Sequence, residues 1–283
     1  MRLPSSLLLL AVLSVACAPS PKQAPVETAP QRIVSLTPAI TETLFALGLG
    51  DRVVGVTRFC DYPPEARTKP QVGGYADPDV EAVVALSPDL VLISPNVGNR
   101  DGALALRRAG IRVEVVAGER LEETYAALER IGTLCGVPER GRALAARVRG
   151  QVEAASAAVR GRTPTRALFC LQTDPVIAAG RDTLPSDLLE RAGGVNVVEA
   201  PRYPQLAMEA VIAAAPDVIL QTRMDVRESD PSTGPTAFWS RWSGLPAVAK
   251  GRVIVFDGTP ALRPGPRVGD AVAQLAAYLH PQP

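Results

Sequence analysis

Histidine occurs once in this 283-residue sequence, as His280 close to the C-terminal end. Imidazoles are the commonest zinc ligands and the usual proton carriers near neutral pH. No metal site and no resident cofactor is therefore expected. A Gly-x-Ser-x-Gly nucleophile elbow is absent, as is a phosphate loop ending in Gly-Lys-Ser/Thr. Gly48-Leu-Gly50 follows a helical pattern and lacks a third glycine, which reads as a helix stop. An α/β hydrolase or dinucleotide-binding enzyme is accordingly the distant alternative, and a binding protein without catalysis is the expectation. Aromatic residues make up only 4% of the chain, so each one is informative about where a flat ligand could stack.

One cysteine does carry a chemical signature. Arg2 precedes the uncharged apolar run Leu7 to Ala16, too short to span a bilayer but suited to a signal-peptide core. The run ends in Ser14-Val15-Ala16-Cys17, a lipobox-like sequence in which Cys17 becomes lipidated and the new N-terminus. The alternative is an ordinary signal peptide cut near Ala16 or Ala18. Residues 18–31 contain four prolines and few large apolar residues, so they read as an extended linker. Cys60, Cys135 and Cys170 remain, an odd number in an oxidising compartment, which leaves at least one free thiol or one intermolecular link. With 30 basic and 29 acidic side chains, no basic excess points to nucleic acid.

The elements that must position any site alternate. Ile33 to Leu36, Val53 to Val56, Leu90 to Ile93 and Val113 to Val116 read as strands, separated by helical patterns over Pro38 to Leu47, Val80 to Leu86 and Gly102 to Ala109. The alternation resumes after Arg162, with strands Arg166 to Leu171, Val218 to Gln221 and Val253 to Phe256. Its helices are Pro185 to Ala192, Met208 to Ala214 and Val268 to Leu279. This is α/β grammar with parallel sheets. Val80 to Ile93 matches Met208 to Gln221 at a constant offset of 128, placing Glu81, Pro88 and Asp89 on Glu209, Pro216 and Asp217. A repeated helix–turn–strand unit favours two related lobes. Between them, Leu144, Val148, Val152, Ala155 and Val159 form one apolar stripe on a helix from Pro138 to Arg160. The expected organisation is a leader over 1–17, a linker over 18–31, an N-terminal lobe over 32–137, a connecting helix over 138–161 and a C-terminal lobe over 162–283. One rigid helix between lobes implies only small opening and closing.

Arg32 to Glu42, Asp61-Tyr62-Pro63-Pro64, Val80 to Ile93 and its second copy together resemble the helical-backbone substrate-binding proteins of ABC importers. The cobalamin-binding members are the nearest in pattern. The resemblance implies two Rossmann-like α/β lobes joined by one long helix, with the ligand in the cleft between them. It implies a monomer that captures cobalamin or a similar metal chelate for an ABC permease and ATPase complex, and that meets the membrane only through its lipid. Ligands of open α/β sheets bind beyond the carboxyl ends of the strands. The loops there offer Phe59, Tyr62, Tyr75, Asn96, Tyr203 and Arg263 as ligand contacts. Tyr75 and Tyr203 match aromatic contacts of the cobalamin binders, which carry Trp there; Phe59 and Tyr62 could instead pack their own loop. Pro95 stands where those relatives place another aromatic residue. Glu81 and Glu209 would dock to permease arginines, the alternative being that each simply favours the positive end of its helix dipole. Haem or a ferric siderophore is the runner-up ligand. Tyr75 is suitably placed for an axial ligand, and Arg58, Arg202, Arg263 and Arg267 could attract an anionic chelate. Trp239 and Trp242 are expected to pack within the second lobe.

Overall fold

The computed structural model describes residues 29–95, 98–223 and 235–281. Cys17, the expected leader, most of the expected linker and Asn96 lie outside the described residues. The first lobe runs β1 (Ile33–Ser35), α1 (Pro38–Ala46), β2 (Val53–Val56), α2 (Val80–Ala85), β3 (Leu90–Ile93), α3 (Arg100–Arg108) and β4 (Val113–Val115). Its strands form a parallel sheet in the order β2-β1-β3-β4. Strand side chains alternate between faces, and both faces are covered. Leu90 and Leu92 enter a core shared with the long helix, whereas Val91 and Ile93 enter a separate outer core. This explains why the strands read as unbroken apolar runs.

Two helices follow, α4 (Leu121–Leu134) and α5 (Pro138–Ala158). At 1.5 Å per residue, α5 spans about 32 Å, and it ends two residues short of the expected Arg160. Its proline occupies the first turn, where a missing N–H costs nothing. A close approach of α4 and α5 requires glycine: a Cβ on Gly132 would lie 2.7 Å from the Gly141 Cα. Leu144, Val148 and Val152 of α5 are buried in the shared core beside residues of both lobes, including Leu44 and Val272.

The second lobe comprises β5 (Thr165–Thr173), β6 (Val176–Ala178), α6 (Leu184–Arg191), β7 (Gly194–Asn196), α7 (Met208–Ala214) and β8 (Val218–Thr222). After these come α8 (Pro235–Ser240), α9 (Pro246–Ala249), β9 (Val253–Phe256), α10 (Thr259–Leu262) and α11 (Val268–Leu279). Strand β6 forms an antiparallel pair with the far end of β5; β7, β5, β8 and β9 are parallel in that order. The parallel order repeats that of the first lobe. The repeat also extends to backbone detail. Ser87 and Ala215, 128 positions apart, both adopt a left-handed φ, 45° and 43°. The Arg32 guanidinium donates to the Leu86 carbonyl at 2.6 Å, and that of Arg166 to the Ala214 carbonyl at 2.8 Å, so each repeat helix ends on an arginine at the start of β1 or β5. Trp239 is fully buried in the outer core of this lobe, where its Nε1–H donates to Gln221 Oε1 at 3.1 Å; Trp242 packs partly buried beside it.

Candidate functional site

A cavity of about 490 Å3 lies between the lobes. On the N-terminal side it is floored by Thr37 and Pro38, which leave β1, and by Ser94 and Pro95, which leave β3. Strand order reverses between β1 and β3, so two successive loops diverge there and open a crevice, the usual ligand position in open α/β sheets. The Thr37 hydroxyl accepts the Ser94 N–H at 3.2 Å and ties the two loops together.

Tyr75 enters the cavity from the loop before α2. Its hydroxyl donates to the Pro95 carbonyl at 3.3 Å. Its own carbonyl accepts from the amide of Asn99, a buried side chain that also donates to the Ser94 carbonyl at 3.1 Å. Gly74 makes this arrangement possible, since a Cβ there would sit 2.2 Å from Asp77 Oδ1 and 2.6 Å from Arg58 Nη2. Arg58 pairs with Asp77 at 3.1 Å and lies over the Phe59 ring, 4.9 Å from its centroid. Phe59 lines the cavity and is 49% exposed.

On the C-terminal side the wall carries Tyr203 and Arg202 from the segment before α7, and Arg263 after α10. Gly180 lets the chain before α6 pass against that segment, because a Cβ there would fall 1.9 Å from the Ala200 carbonyl oxygen. Burial pushes the Tyr203 phenol above its ordinary pKa, and the Glu119 carboxylate pushes in the same direction, more weakly.

Ion pairs cross the lobe boundary around the cavity. Arg202 pairs with Glu119. Arg120 grips Asp187 with two hydrogen bonds, 2.6 and 2.9 Å, and reaches Asp182 at 3.0 Å. Arg263 donates to Glu42 at 3.0 Å and to Asp61 at 2.6 Å, and Arg267 donates to Glu42 at 2.6 and 2.8 Å. Arg263 thus faces the cavity with its charge already shared by two carboxylates of the other lobe.

The structure therefore brings Phe59, Tyr75, Tyr203 and Arg263 to one cavity. Tyr62 is not among its lining residues; Arg267 lies over its ring, 4.1 Å from the centroid, and holds it to the side. Asn96 lies outside the described residues, and the buried amide that organises this corner is Asn99. Glu81 and Glu209 are both exposed, one on each repeat helix. Nothing local in the sequence marks Glu42, Arg120 or Asp187 as bridging residues, because their partners are distant along the chain. Among the described residues no His, Cys, Asp and Glu cluster could hold a metal ion, and no helix is long and apolar enough to cross a membrane.

Two α/β lobes, a single connecting helix and an aromatic-walled cleft at the strand ends define a two-lobe solute-binding protein. The sequence pattern of the periplasmic binding protein family matches residues 33–260, and the chain belongs to that family. The Vitamin B12-binding protein of Vibrio cholerae serotype O1 is 31% identical over 254 residues, covering 88% of this chain and 89% of that protein. Among solved structures, the periplasmic vitamin B12 binding protein BtuF of Vibrio cholerae superimposes with a TM-score of 0.76 at 30% identity, covering 89% of this chain and 97% of that one. The periplasmic heme-binding protein RhuT of Roseiflexus sp. RS-1 superimposes with a TM-score of 0.79 at 32% identity, covering 88% and 97%. These relatives are named as binding proteins, and this chain is a binding protein, not an enzyme.

Proposed function

We propose that this chain captures cobalamin or a closely related corrinoid in the interlobe cleft and delivers it to the permease of an ABC importer. It works as a monomer outside the cytoplasm, tethered by a lipid on Cys17. The observation that carries the ligand assignment is the charge state of the cleft. Arg202 and Arg263, the arginines that line it, are both paired with carboxylates of the opposite lobe, while the rings of Phe59, Tyr75 and Tyr203 line it too. A haem brings two carboxylates, and anionic siderophore chelates likewise need unpaired cations to offset their burial. A corrin ring with neutral amide arms asks instead for apolar and aromatic faces with a few hydrogen-bonding groups.

Haem is the second reading, favoured by the likeness to RhuT and by the position of Tyr75 in the cleft. The deciding experiment adds cyanocobalamin, haemin or ferric siderophores to the purified protein and records melting shifts and absorption spectra. Cobalamin at one hundred times its Kd should stabilise the fold by about 2.7 kcal/mol. A ferric tyrosinate spectrum with haemin, and no melting shift with cobalamin, would replace the first reading by the second.

Delivery is assigned to Glu81 and Glu209. They occupy equivalent positions on the two lobes, both are exposed, and neither makes an ion pair or side-chain hydrogen bond among the described residues. Two matched carboxylates suit arginines on two symmetry-related permease subunits.

A further inference from the structure

Helices α2 and α7 share a second feature besides their glutamates. In each, one valine faces inward: Val83 and Val211 are 0% and 1% exposed. The next residue in each is also large, apolar and β-branched, yet points to solvent. Val84 is 41% exposed and Ile212 is 48% exposed, and they are again 128 positions apart. A single exposed apolar residue is ordinary. These two stand at the same register of a repeated unit, where core packing does not require them and helix propensity disfavours β-branching relative to alanine. Each lies three residues after a glutamate, hence on the same helix face, and each is followed by an exposed alanine, Ala85 or Ala213. Either lobe thus presents an unpaired carboxylate beside a small apolar patch.

We infer that Val84 and Ile212 form apolar contacts flanking the two docking glutamates, on a permease surface that offers a basic side chain beside a shallow apolar depression, twice, about a two-fold axis. This rests on the docking role assigned to Glu81 and Glu209 above. Charge complementarity selects the basic side chain. Apolar neighbours exclude water from a buried charge pair and so strengthen it, which is how peripheral contacts support an interface hot spot.

The test measures capture of the full, lipid-bearing protein by its permease and ATPase complex in nanodiscs, over a range of salt concentrations. Val84→Gln/Ile212→Gln places good helix formers at exposed sites, so the melting temperature and cyanocobalamin affinity should match those of the unmodified protein. Capture should weaken threefold or more while keeping the original salt dependence. A loss smaller than threefold overturns the inference. Glu81→Gln/Glu209→Gln, measured in parallel, separates the two ideas: if it alone loses capture and salt dependence, the glutamates dock without apolar support. If neither pair of substitutions reduces capture, the docking assignment falls with it.

Discussion

Glu42 on α1 and Arg263 beyond α10 meet across the lobe boundary at 3.0 Å, and the Glu42 side chain is only 1% exposed. Arg267 donates to both oxygens of the same carboxylate, to Oε2 at 2.8 Å and to Oε1, which it shares with Arg263, at 2.6 Å. One buried anion from the first lobe therefore holds two cations from the second, beside the cleft. Removing Glu42 leaves Arg267 without its carboxylate and Arg263 with Asp61 alone, and breaking a buried charge group in this way costs about 3 kcal/mol. Glu42→Gln, which keeps the volume and loses the charge, should lower the unfolding free energy by about that amount in urea titrations. A change below about 1 kcal/mol would show that the two arginines are satisfied without it.

Asp61 completes this clasp and gives it a pH dependence. Partial burial raises its pKa, but the hydrogen bond and charge of Arg263 outweigh that, and the net shift is below the ordinary aspartate value of 3.8. A depressed folded pKa means stability that is fully present above the unfolded value and lost as pH falls through the folded one. Acid unfolding should therefore begin below about pH 4 and be less steep in Asp61→Asn, as followed by circular dichroism between pH 2 and 6.

How much of this could be read beforehand depends on distance along the chain. The strands were legible because the central residues of β1, β3, β5 and β8 are buried on both faces and are mostly apolar. The repeat was legible from Glu81, Pro88 and Asp89, but not the left-handed Ser87 and Ala215, since neither is glycine. Helix α4 was not anticipated, although Leu121, Leu128 and Ile131 face the core with helical spacing. Strands β6 and β7 are three residues each, too short for periodicity to register. Tyr75 and Tyr203, which line the cavity, could be singled out because their positions match aromatic contacts in the family that the sequence resembles. The clasp could not, because Glu42 and Arg263 are 221 residues apart and only the folded lobes bring them together. Asn99 was missed for a related reason: its importance lies in the Tyr75 and Ser94 carbonyls it joins.

Both cleft tyrosines lie on the surface of the cavity rather than in a core, and Tyr203 is 44% exposed. Tyr75→Ala/Tyr203→Ala should weaken cyanocobalamin binding at least tenfold, or about 1.4 kcal/mol, as read by isothermal titration calorimetry. Unfolding free energy of the unliganded protein should change by less than about 1 kcal/mol. A larger loss of stability with unchanged affinity would place the ligand elsewhere.

The thiols should be inert in the folded state. Cys60 is buried with its Sγ 3.1 Å from the hydroxyls of both Thr41 and Thr57, and burial pushes its pKa up. Burial pushes that of Cys135 up to about 12. Only the thiolate is a good nucleophile, so a disulfide-exchange reagent at pH 8 should leave Cys60 and Cys135 unmodified until denaturant is added. Rapid labelling of either without denaturant would reveal local opening beside α1 or at the end of α4.

Transport gives the sharpest expectation. Glu81 and Glu209 are exposed, equivalent and without ion pairs among the described residues, so their charges are available to a partner. Replacing both by Lys should abolish uptake of cobalamin by cells while leaving its affinity for the isolated protein unchanged. The association of unmodified protein with its permease should weaken as ionic strength rises, because salt screens attraction between charges at a forming interface. If the carboxylates instead serve only their own helices, the same variant should lose about 0.3–1 kcal/mol of stability per site and transport normally. Uptake by the double variant separates the two outcomes, and normal transport with Lys at both positions ends the docking assignment.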